Sequence, residues 1–555
     1  MKQSKFLSAA VLTAAAIILA PAVHATTVEV LGAGSSAMWQ TAAIGAYDQL
    51  AGSGAQHYTI KGSGGICSTL ANCAQLHDPR SASILPEGGN LWVVWNAAQT
   101  EVWAYLSVDS VVGNRSYFAT PRVQLQIDPA VMTNAGQNLI VSALFGGTSD
   151  ASAMPSAVYN ALNNASVTAG FTDIRPEDAK FAQSRIVSAL NTTTYAGLGY
   201  GTGPTTLIGT QVKSTWSSAV ANPIAFNIKG TDPFTGQPVK AYTTIDVGAS
   251  PITFIVNRTN ANGLGAGVSG GTPIFTNLPL ASAQKIWNGT ECDTNAFGAA
   301  GAPANTPITV LLREPMSGTM NTTEFSNFRL ASLPNNSQEV GINPANANNN
   351  PLNLACATVG GIAGTRMRGI GTGEIAKGSG STGGVLHITD SIGYLFFSYG
   401  NVSALAGSSS YGYLTLNGVD PIQASYTGGQ LPVCTSSAGS GVCPATPGTS
   451  FPNLRNGKYR SWSIVRVVTD ASGINLTNTK LLVVAIQDNI NTTVPDFVPF
   501  NAVGSDPGLK IYRSHFLQSG VSPNNGLGGQ KEAGGDMGGC IEPVGPPPGV
   551  LSCHQ

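Results

Sequence analysis

Residues 308–319 read ITVLLREPMSGT, an apolar run that ends in an arginine and continues into a loop of small and hydroxyl residues. The apolar run is typical of a buried strand, and a helix is expected from Asn321. Arg313 would therefore stand at a strand end, before a loop at a helix N-terminus. The loop residues are Ser317, Gly318 and Thr319. A guanidinium beside such donors suits a tetrahedral oxyanion, although a surface arginine followed by a serine helix cap gives the same pattern.

Two units of similar design lie upstream. In the first, the strand-like run Thr27–Leu31 is followed by Gly-Ala-Gly-Ser-Ser at 32–36 and by a helical pattern over 37–50. In the second, a short strand at 58–60 is followed by Lys-Gly-Ser-Gly-Gly at 61–65. Backbone N–H groups at a helix N-terminus favour an anion, so both units predict a glycine turn that could bind one. For the first unit, the competing explanation is that Ser35 or Ser36 only caps its helix.

Further apolar runs predict strands and helices along the rest of the chain. Residues 91–95 and 102–106 predict a hairpin whose aromatic side chains pack within a sheet; the alternative is that they line a sugar or ligand surface. Another apolar run ends at Asp173, before a proline and a helical pattern over 177–190. The remaining strand-like runs are Ile252–Val256, Ile392–Phe397, Ser463–Val468 and Leu481–Ile486, and Leu280–Trp287 reads as a helix.

The N-terminus has the pattern of a signal peptide. Lys2 and Lys5 precede an apolar run over 6–20, and Val23 and Ala25 are the small residues expected before a cut at Thr26. No cysteine follows that could take a lipid anchor, so a periplasmic or extracellular location is expected; an uncleaved N-terminal anchor is the alternative. No later apolar run reaches the roughly 18 residues that a membrane-spanning helix needs.

Composition restricts the class of partner. Only 10% of the 555 residues are charged and the formal net charge is −1, which favours neither nucleic acid nor an anionic membrane surface. A hydrophobic content of 42% is sufficient for the cores of two to four domains at roughly 150 residues each. Any binding function should therefore depend on a local site.

Eight cysteines in a chain that is expected to leave the cytosol indicate disulfides. Close spacing suggests the pairs Cys67–Cys73, Cys434–Cys443 and Cys540–Cys553, which leaves Cys292 with Cys356, although spacing allows other pairings. A zinc site is the weaker alternative, because the sequence has no CxxC pair and its six histidines are scattered. Neither a metal nor a cofactor is expected.

Taken in order, these segments resemble the phosphate-binding protein of bacterial phosphate ABC transporters, including its secreted relatives of the DING type. The family opens with a strand and a turn like 32–36, continues with a glycine-serine turn like 62–65, and has an aspartate like Asp173 after an apolar strand. Its arginine and SGT loop match Arg313 and 317–319. The similarity is spread over most of residues 27–490. The chain departs from the family at two places. Ala37 and Met38 follow the first hydroxyl where the family often has an aromatic residue or Phe-Pro, and Pro315 stands where the family often has an acidic residue, with Glu314 beside the arginine instead.

The resemblance implies an α/β fold of the two-lobed periplasmic binding protein type (type II, phosphate-binding-like) with β-rich insertions. The implied segments are a signal peptide at 1–25, a first lobe at 26–247 with an insertion at about 75–165, a second lobe at 248–451, a return to the first lobe at 452–515, and an irregular Gly/Pro-rich tail at 516–555 pinned by its cysteines. The implied ligand-binding residues are Ser36, Ser63 and Asp173 from the first lobe and Arg313, Ser317, Gly318 and Thr319 from the second.

The function that the resemblance implies is capture of inorganic phosphate, or a related tetrahedral oxyanion, for ABC-type uptake, with an ABC permease as a candidate partner. No enzymatic activity is expected, because the sequence lacks HExxH and GxxxxGK[ST] motifs and its GxSxG at 267–271 lies in a glycine-rich loop. The alternatives are a secreted structural or adhesive protein that keeps the fold, and an extracellular phosphatase.

Overall fold

The computed structural model describes residues 25–62, 73–82, 84, 86–140, 142–176, 179, 225–303, 305–313, 316–328, 356–357, 360, 363–369, 371–378, 383–433, 448–492, 495–513 and 541–543. The predicted signal peptide up to His24, the candidate ligand residue Ser63 and most of the predicted tail lie outside these ranges. None of the helices within them is long and apolar enough to cross a membrane.

The described residues form both strands and α-helices. The strands are β1 Thr27–Ser35, β2 Gln56–Ile60, β3 Ala74–His77, β4 Glu87–Gly88, β5 Asn90–Trp95, β6 Glu101–Val108, β7 Gln124–Ile127, β8 Ala169–Thr172, β9 Tyr242–Asn257, β10 Asn277–Leu278, β11 Thr309–Arg313, β12 Thr365–Gly369, β13 Ser391–Phe396, β14 Tyr411–Leu416, β15 Trp462–Asp470, β16 Val498–Pro499, β17 Ile511–Arg513 and β18 Ile541–Pro543. The α-helices are α1 Trp39–Leu50, α2 Ser110–Phe118, α3 Ser156–Leu162, α4 Leu280–Trp287, α5 Gly318–Thr323, α6 Thr372–Lys377, α7 Gly384–His387, α8 Tyr399–Val402, α9 Pro452–Arg455 and α10 Ile474–Thr492.

Local sequence accounts for most of these elements. The strands β13 and β15 are buried on both faces, as expected for the middle of a covered sheet. Both consist of apolar and small residues, apart from Arg466 and the terminal Asp470 in β15. In α4 the buried positions Ala283, Ile286 and Trp287 recur at helical spacing, so one face of the helix packs on the core. The runs predicted over 252–256, 280–287, 308–312, 392–397 and 463–468 therefore lie in elements of the predicted type.

One mixed sheet of thirteen strands organises the described residues, with the main order β12-β11-β13-β9-β15-β8-β1-β6-β5-β2. The long strand β9 divides it into two lobes. Its first part, Tyr242–Pro251, pairs with β15 on the side of β8 and β1, whereas its second part, Ile252–Asn257, pairs with β13 and β14. The predicted fold class, an α/β protein of two lobes, is confirmed.

Each lobe has its own buried core. In the first lobe, a cluster that includes Leu31, Trp95 and Val158 packs around β1, β5 and α3. In the second, a cluster that includes Trp287 and Tyr394 packs around α4 and β13. A third cluster contains residues of both lobes, so the lobes are joined through packed side chains as well as through β9.

The parallel strands of each lobe decide where polar residues meet. In the first lobe β1 is parallel to both β6 and β8, and in the second β11 is parallel to both β12 and β13. The carboxyl ends of parallel strands lie at one edge of a sheet, and loops at that edge commonly bind ligands in open α/β sheets. Residues that directly follow β1, β6, β8, β11 and β12 are therefore candidates for one shared site.

The predicted hairpin over 91–106 is present as the antiparallel pair β5 and β6. It does not form a separate unit, because β6 joins the main sheet directly beside β1. A small second sheet of β4, β3 and β7 contains other strands of the predicted β-rich insertion. The predicted irregular tail contains at least one strand, β18, which pairs with β17.

Within the turn predicted at 32–36, the placement of the glycines is wrong, because β1 continues through Gly32 and Gly34 to Ser35. A Cβ at Gly32 would overlap the ring of Phe171, and a Cβ at Gly34, where φ is 143°, would overlap the carbonyl oxygen of Phe171. These glycines permit β8 to approach β1 closely, which is a second common use of glycine in strands. The chain turns one residue later, at Ser36 and Ala37.

The strand predicted at Leu481–Ile486 is also wrong, because these residues lie within the nineteen-residue helix α10. Leu482, Val483 and Ile486 are buried at helical spacing, whereas Leu481 is exposed. The helix packs against α1 so closely that a Cβ at Gly45 would stand 2.9 Å from the Cγ1 atom of Ile486. A short run of aliphatic residues suits either a strand or a buried helix face, and packing against α1 decided between them.

The predicted disulfide between Cys292 and Cys356 is confirmed. Cys292 and Cys356 are joined across 64 residues in the second lobe. Cys73 is also disulfide-bonded, but its predicted partner Cys67 lies outside the described residues. The predicted pairs Cys434–Cys443 and Cys540–Cys553 lie outside them as well.

Candidate functional site

Residues that follow five parallel strands meet between the two lobes and form what we call the cleft site. The cleft site consists of Ser36, Asp109, Ser110 and Asp173 from the first lobe and Arg313, Thr319 and Thr372 from the second. Ser36 follows β1, Asp109 follows β6 and Asp173 follows β8. The sheet therefore assembles residues that are far apart in the sequence, as the strand directions require.

Arg313 is the positive charge of the cleft site. Its side chain is 1% exposed, and its Nη2 atom donates to Oδ1 of Asp109 across the cleft at 2.7 Å. Its Nη1 atom lies 3.3 Å from the hydroxyl of Thr319 and 3.2 Å from that of Thr372. The guanidinium is therefore held in one orientation by a carboxylate on one side and by hydroxyls on the other.

Asp173 is the second carboxylate, and both of its oxygens accept hydrogen bonds. Ser110 donates its hydroxyl to Oδ1, and Thr319 donates to Oδ2 at 3.0 Å. The backbone carbonyl of Asp173 accepts a hydrogen bond from Ser463 at 2.8 Å, which fixes the main chain after β8. This aspartate thus contacts both lobes and has little freedom to turn away from Arg313.

Ser36 connects the lobes at the other side of the guanidinium. Its Oγ lies 2.9 Å from the hydroxyl of Thr372 and accepts a hydrogen bond from the Thr372 backbone N–H at 3.2 Å. Ser36 therefore caps the first turn of α6, a helix of the opposite lobe. Both hydroxyls can rotate their protons toward another acceptor at low cost.

Ser317 and Gly318 have structural roles in the loop that follows Arg313. The hydroxyl of Ser317 accepts a hydrogen bond from the Met320 backbone N–H at 3.3 Å, so this serine acts as the cap of α5. A Cβ at Gly318 would overlap Oδ1 of Asp173 and the hydroxyl of Ser110. The absence of a side chain at 318 is therefore what permits the two lobes to approach this closely.

The two carboxyl groups of the cleft site have unusual proton affinities. Burial raises the pKa of Asp109 to about 7; Arg313 acts in the opposite direction, and the negative charges of Asp173, Glu87 and Glu374 raise it further. Burial also raises the pKa of Asp173, although the Ser110 hydroxyl and Arg313 oppose the shift. With both carboxyls ionised, the three charged groups of the site would sum to −1. Protonation of Asp109 near neutral pH removes that excess negative charge.

The structure brings together all the predicted site residues that it describes. Ser36, Asp173, Arg313, Gly318 and Thr319 lie in or against the cleft site, and Ser317 caps the helix beside it. Ser63 and the acidic neighbour Glu314 lie outside the described residues. In the part of the chain that the structure describes, no group of three or more His, Cys, Asp or Glu side chains is placed to hold a metal.

Sequence reasoning missed Asp109, Ser110 and Thr372. The signal for the first two was present, since they lie shortly after the apolar run over 102–106, beyond Ser107 and Val108, and are recognisable as residues at a strand end. They were overlooked because that run was assigned to an insertion rather than to a place beside β1. Thr372 lies in the glycine-rich stretch Gly369–Gly373, where no hydrophobic period marks a strand end.

No known protein-family profile and no curated protein matches the chain. Similar solved structures include a phosphate-binding protein from Stenotrophomonas maltophilia, at 12% identity over 82% of each chain with a TM-score of 0.31. A phosphate-bound periplasmic phosphate-binding protein, PfluDING, matches at 10% identity over 84% of this chain and 90% of its own, with a TM-score of 0.31. A phosphate-bound putative phosphate ABC transporter substrate-binding protein from Clostridium perfringens matches at 14% identity over 46% of this chain and 71% of its own, with a TM-score of 0.26. Superpositions this loose bear on neither ligand nor mechanism.

Proposed function

We propose that the protein is a secreted solute-binding protein that captures inorganic phosphate, or a related tetrahedral oxyanion, between its two lobes and releases it unchanged. The observation that carries this proposal is the convergence of Arg313, Asp173 and four hydroxyls at the facing strand ends of two lobes. Each of these groups is a donor or acceptor that a partly protonated oxyanion can use. The site lies where the fold would enclose a small ligand on closing.

The ligand would use the Nη1 side of the guanidinium. On that side Arg313 contacts the hydroxyls of Thr319 and Thr372 at 3.2–3.3 Å, and Thr372 in turn contacts Ser36. An anion between these groups would exchange hydroxyl-to-hydroxyl contacts for charge-assisted hydrogen bonds, which are roughly twice as strong. Asp109 lies on the opposite, Nη2 side of the guanidinium, and while it is ionised it competes with the ligand for the same positive charge.

Asp173 would select among anions by their protons. A carboxylate can accept a hydrogen bond only from an oxyanion that still carries a proton, as phosphate and arsenate do near neutral pH and sulfate does not. Sulfate would instead meet a fixed negative charge in a buried site, where repulsion is screened poorly. The same buried carboxylate therefore favours phosphate and disfavours sulfate.

Asp109 adds a dependence on pH to this selection. While Asp109 is ionised, it competes with the ligand for Arg313 and leaves the site with a net charge of −1. Once it is protonated, the guanidinium is available to the anion and the excess charge is gone. Phosphate binding should therefore strengthen as the pH falls through about 7.

The hydrogen-bond partners of the hydroxyls in the cleft site support binding of the anion without hydrolysis. In the described residues, the hydroxyls of Ser36, Ser110, Thr319 and Thr372 make hydrogen bonds to one another, to carboxylates, to Arg313 or to backbone groups. None of these bonds is to an imidazole, which is the usual base for an activated serine or threonine. An ABC permease is the proposed acceptor of the captured anion.

Isothermal titration calorimetry of the mature chain against phosphate, arsenate and sulfate tests this proposal. The expected result is saturable binding of phosphate and arsenate in the cleft, with sulfate weaker by at least about a hundredfold. A preference for sulfate would contradict the assignment of Asp173. Turnover of nitrophenyl phosphate that is lost in Arg313→Ala would make the phosphatase the better interpretation.

A further inference from the structure

A second cavity lies in the first lobe, at the far end of α2 from the cleft site. Ser110 at the start of this helix hydrogen-bonds Asp173 in the cleft, whereas Tyr117 and Phe118 at its end line the cavity. Nine helical residues separate the two ends by about 13 Å. The cavity encloses about 340 Å³, which lies in the range of small-molecule sites. We call it the α2 pocket.

A fixed arginine forms one wall of the α2 pocket. The guanidinium of Arg122 lies 4.3 Å above the ring of Tyr117, and its Nη2 atom is paired with Asp470. Asp470 is itself held by hydrogen bonds from Tyr117 at 3.2 Å and from Asn475 at 2.7 Å. Within the described residues, the Nε and Nη1 atoms of Arg122 donate to no side chain or carbonyl. The arginine is therefore oriented on one side and has donors to spare on the other.

The charge of the lining is positive. Arg122 and Lys240 both line the α2 pocket, and no carboxylate does. Lys240 is exposed and makes no hydrogen bond or ion pair in the described part of the chain. Because Asp470 neutralises one of the two cations from behind, the pocket has a net charge of about +1 toward a ligand.

Part of the remaining lining is apolar. Pro121 and Val239 contribute accessible hydrophobic surface, whereas Phe118 and Val167 are almost fully buried behind it, and Ser166 and Thr120 contribute hydroxyls. An inorganic oxyanion would fill only a small part of 340 Å³ and would leave this apolar surface in contact with water. A neutral apolar molecule would leave the two cations without a partner. Only a ligand with one negative charge and an apolar body uses both features.

We propose that the α2 pocket is a second binding site, distinct from the cleft site, and that it takes a small organic monocarboxylate with an aromatic or short aliphatic body. The carboxylate lies against the free edge of the Arg122 guanidinium and within reach of Lys240. The body packs on Pro121 and Val239. This site does not depend on oxyanion capture in the cleft, since the two sites share no side chain.

Ligand-observed NMR and calorimetry of the whole mature chain with phenylacetate, benzoate and hexanoate test this site. Phenylacetamide, which has the same body without the charge, is the matched ligand control. Arg122→Gln should weaken phenylacetate about tenfold, and Lys240→Gln, a change at an exposed side chain, about threefold. Arg313→Gln in the cleft should leave phenylacetate affinity unchanged.

Three outcomes would overturn the inference. They are absence of saturable carboxylate binding up to about 10 mM, equal affinity for phenylacetamide and phenylacetate, and loss of phenylacetate binding in Arg313→Gln. Should Arg122→Gln not fold, as judged from its melting curve, Lys240→Gln still decides the question. Unchanged phenylacetate affinity in a folded Arg122→Gln, or in Lys240→Gln where Arg122→Gln does not fold, is a fourth outcome that would reject the site.

Discussion

The protein contains two arginine–aspartate ion pairs with similar contacts. They differ in burial and in the pKa of the aspartate. Arg313 and Asp109 are 1% and 4% exposed, and the pKa of Asp109 is raised to about 7. Arg122 and Asp470 are 11% and 18% exposed, and hydrogen bonds from Arg122 and Asn475 lower the pKa of Asp470. Burial disfavours the ionised form of both carboxyl groups. In the cleft, neighbouring carboxylates raise the pKa of Asp109 further, whereas beside the α2 pocket hydrogen bonds to Asp470 outweigh the effect of burial. Neighbouring charges therefore decide what an ion pair does.

This difference assigns opposite roles to the two pairs. The pair in the cleft is poised to exchange Asp109 for a ligand, because a proton on that carboxyl releases the guanidinium. The pair beside the α2 pocket stays ionised at neutral pH and acts as a fixed support for Arg122. Experiments that treat the two pairs identically should therefore give different results.

The largest expected effect separates the two arginines. Arg313→Ala should cost phosphate binding about 2–5 kcal/mol, because it removes the charge-assisted donor of a buried site. Arg122→Ala serves as the matched control and should leave phosphate affinity within about twofold. Calorimetric titration of both variants with phosphate measures the difference. Equal losses in the two variants would mean that phosphate is not bound at Arg313.

The next largest effect is a difference between Asp109 and Asp470 in how they influence the pH dependence of phosphate affinity. With a pKa of about 7, Asp109 is mostly ionised at pH 8 and mostly protonated at pH 6, so phosphate affinity should rise about tenfold as the pH falls between these values. Asp109→Asn should reduce this rise, and Asp470→Asn should not. Both variants experience the same titration of phosphate itself, so the comparison isolates the protein. A pH profile that is identical in the two variants would exclude Asp109 as its source.

A smaller effect concerns stability without ligand. Because the pKa of Asp109 is raised by folding, its contribution to stability is fully present below an unfolded value near about 4 and is lost as the pH rises through about 7. The pKa of Asp470 is lowered, so its contribution is present above the unfolded value and is lost as the pH falls below it. The melting temperature of the wild type should therefore fall by a few degrees between pH 5 and pH 8, that is, between about 2 units below and about 1 unit above the cleft pKa.

Variants again distinguish the contributions to this slope. Asp109→Asn should make the melting temperature less dependent on pH over that interval. It should not abolish the dependence, because burial also raises the pKa of Asp496 to about 6. Asp470→Asn should keep the slope and lower the melting temperature at pH 7. Differential scanning calorimetry in the absence of phosphate measures both, and a melting temperature that rises toward pH 8 in the wild type would contradict the sign.

The parts of the site that were predictable from sequence are those where an apolar strand ends in a polar residue. Arg313 after 308–312 and Asp173 after its short strand are of this kind, and the structure places them together. Which strand lies beside which is not written in a local pattern, since it depends on parallel pairing between distant segments. Asp109 was missed for that reason, because nothing near it shows that β6 lies beside β1.

The errors have equally specific causes. Glycines at 32 and 34 are compatible with a turn or with a close approach of another strand, and only the position of Phe171 distinguishes the two. The run over 481–486 is compatible with a strand or with a helix face, and only α1 distinguishes those. In each case the missing information was the identity of a neighbour that is remote in sequence.

The central claim is that Asp173 selects a protonated oxyanion in a site whose positive charge is Arg313. Paired calorimetric titrations of wild type and Asp173→Asn with phosphate and with sulfate at pH 7 test it most directly. The amide offers a donor where the carboxylate offered an acceptor. The affinity for phosphate should therefore fall and the affinity for sulfate should rise, so that the preference for phosphate over sulfate decreases. Unchanged phosphate affinity in the variant, or a wild type that already binds sulfate as tightly as phosphate, would contradict the account.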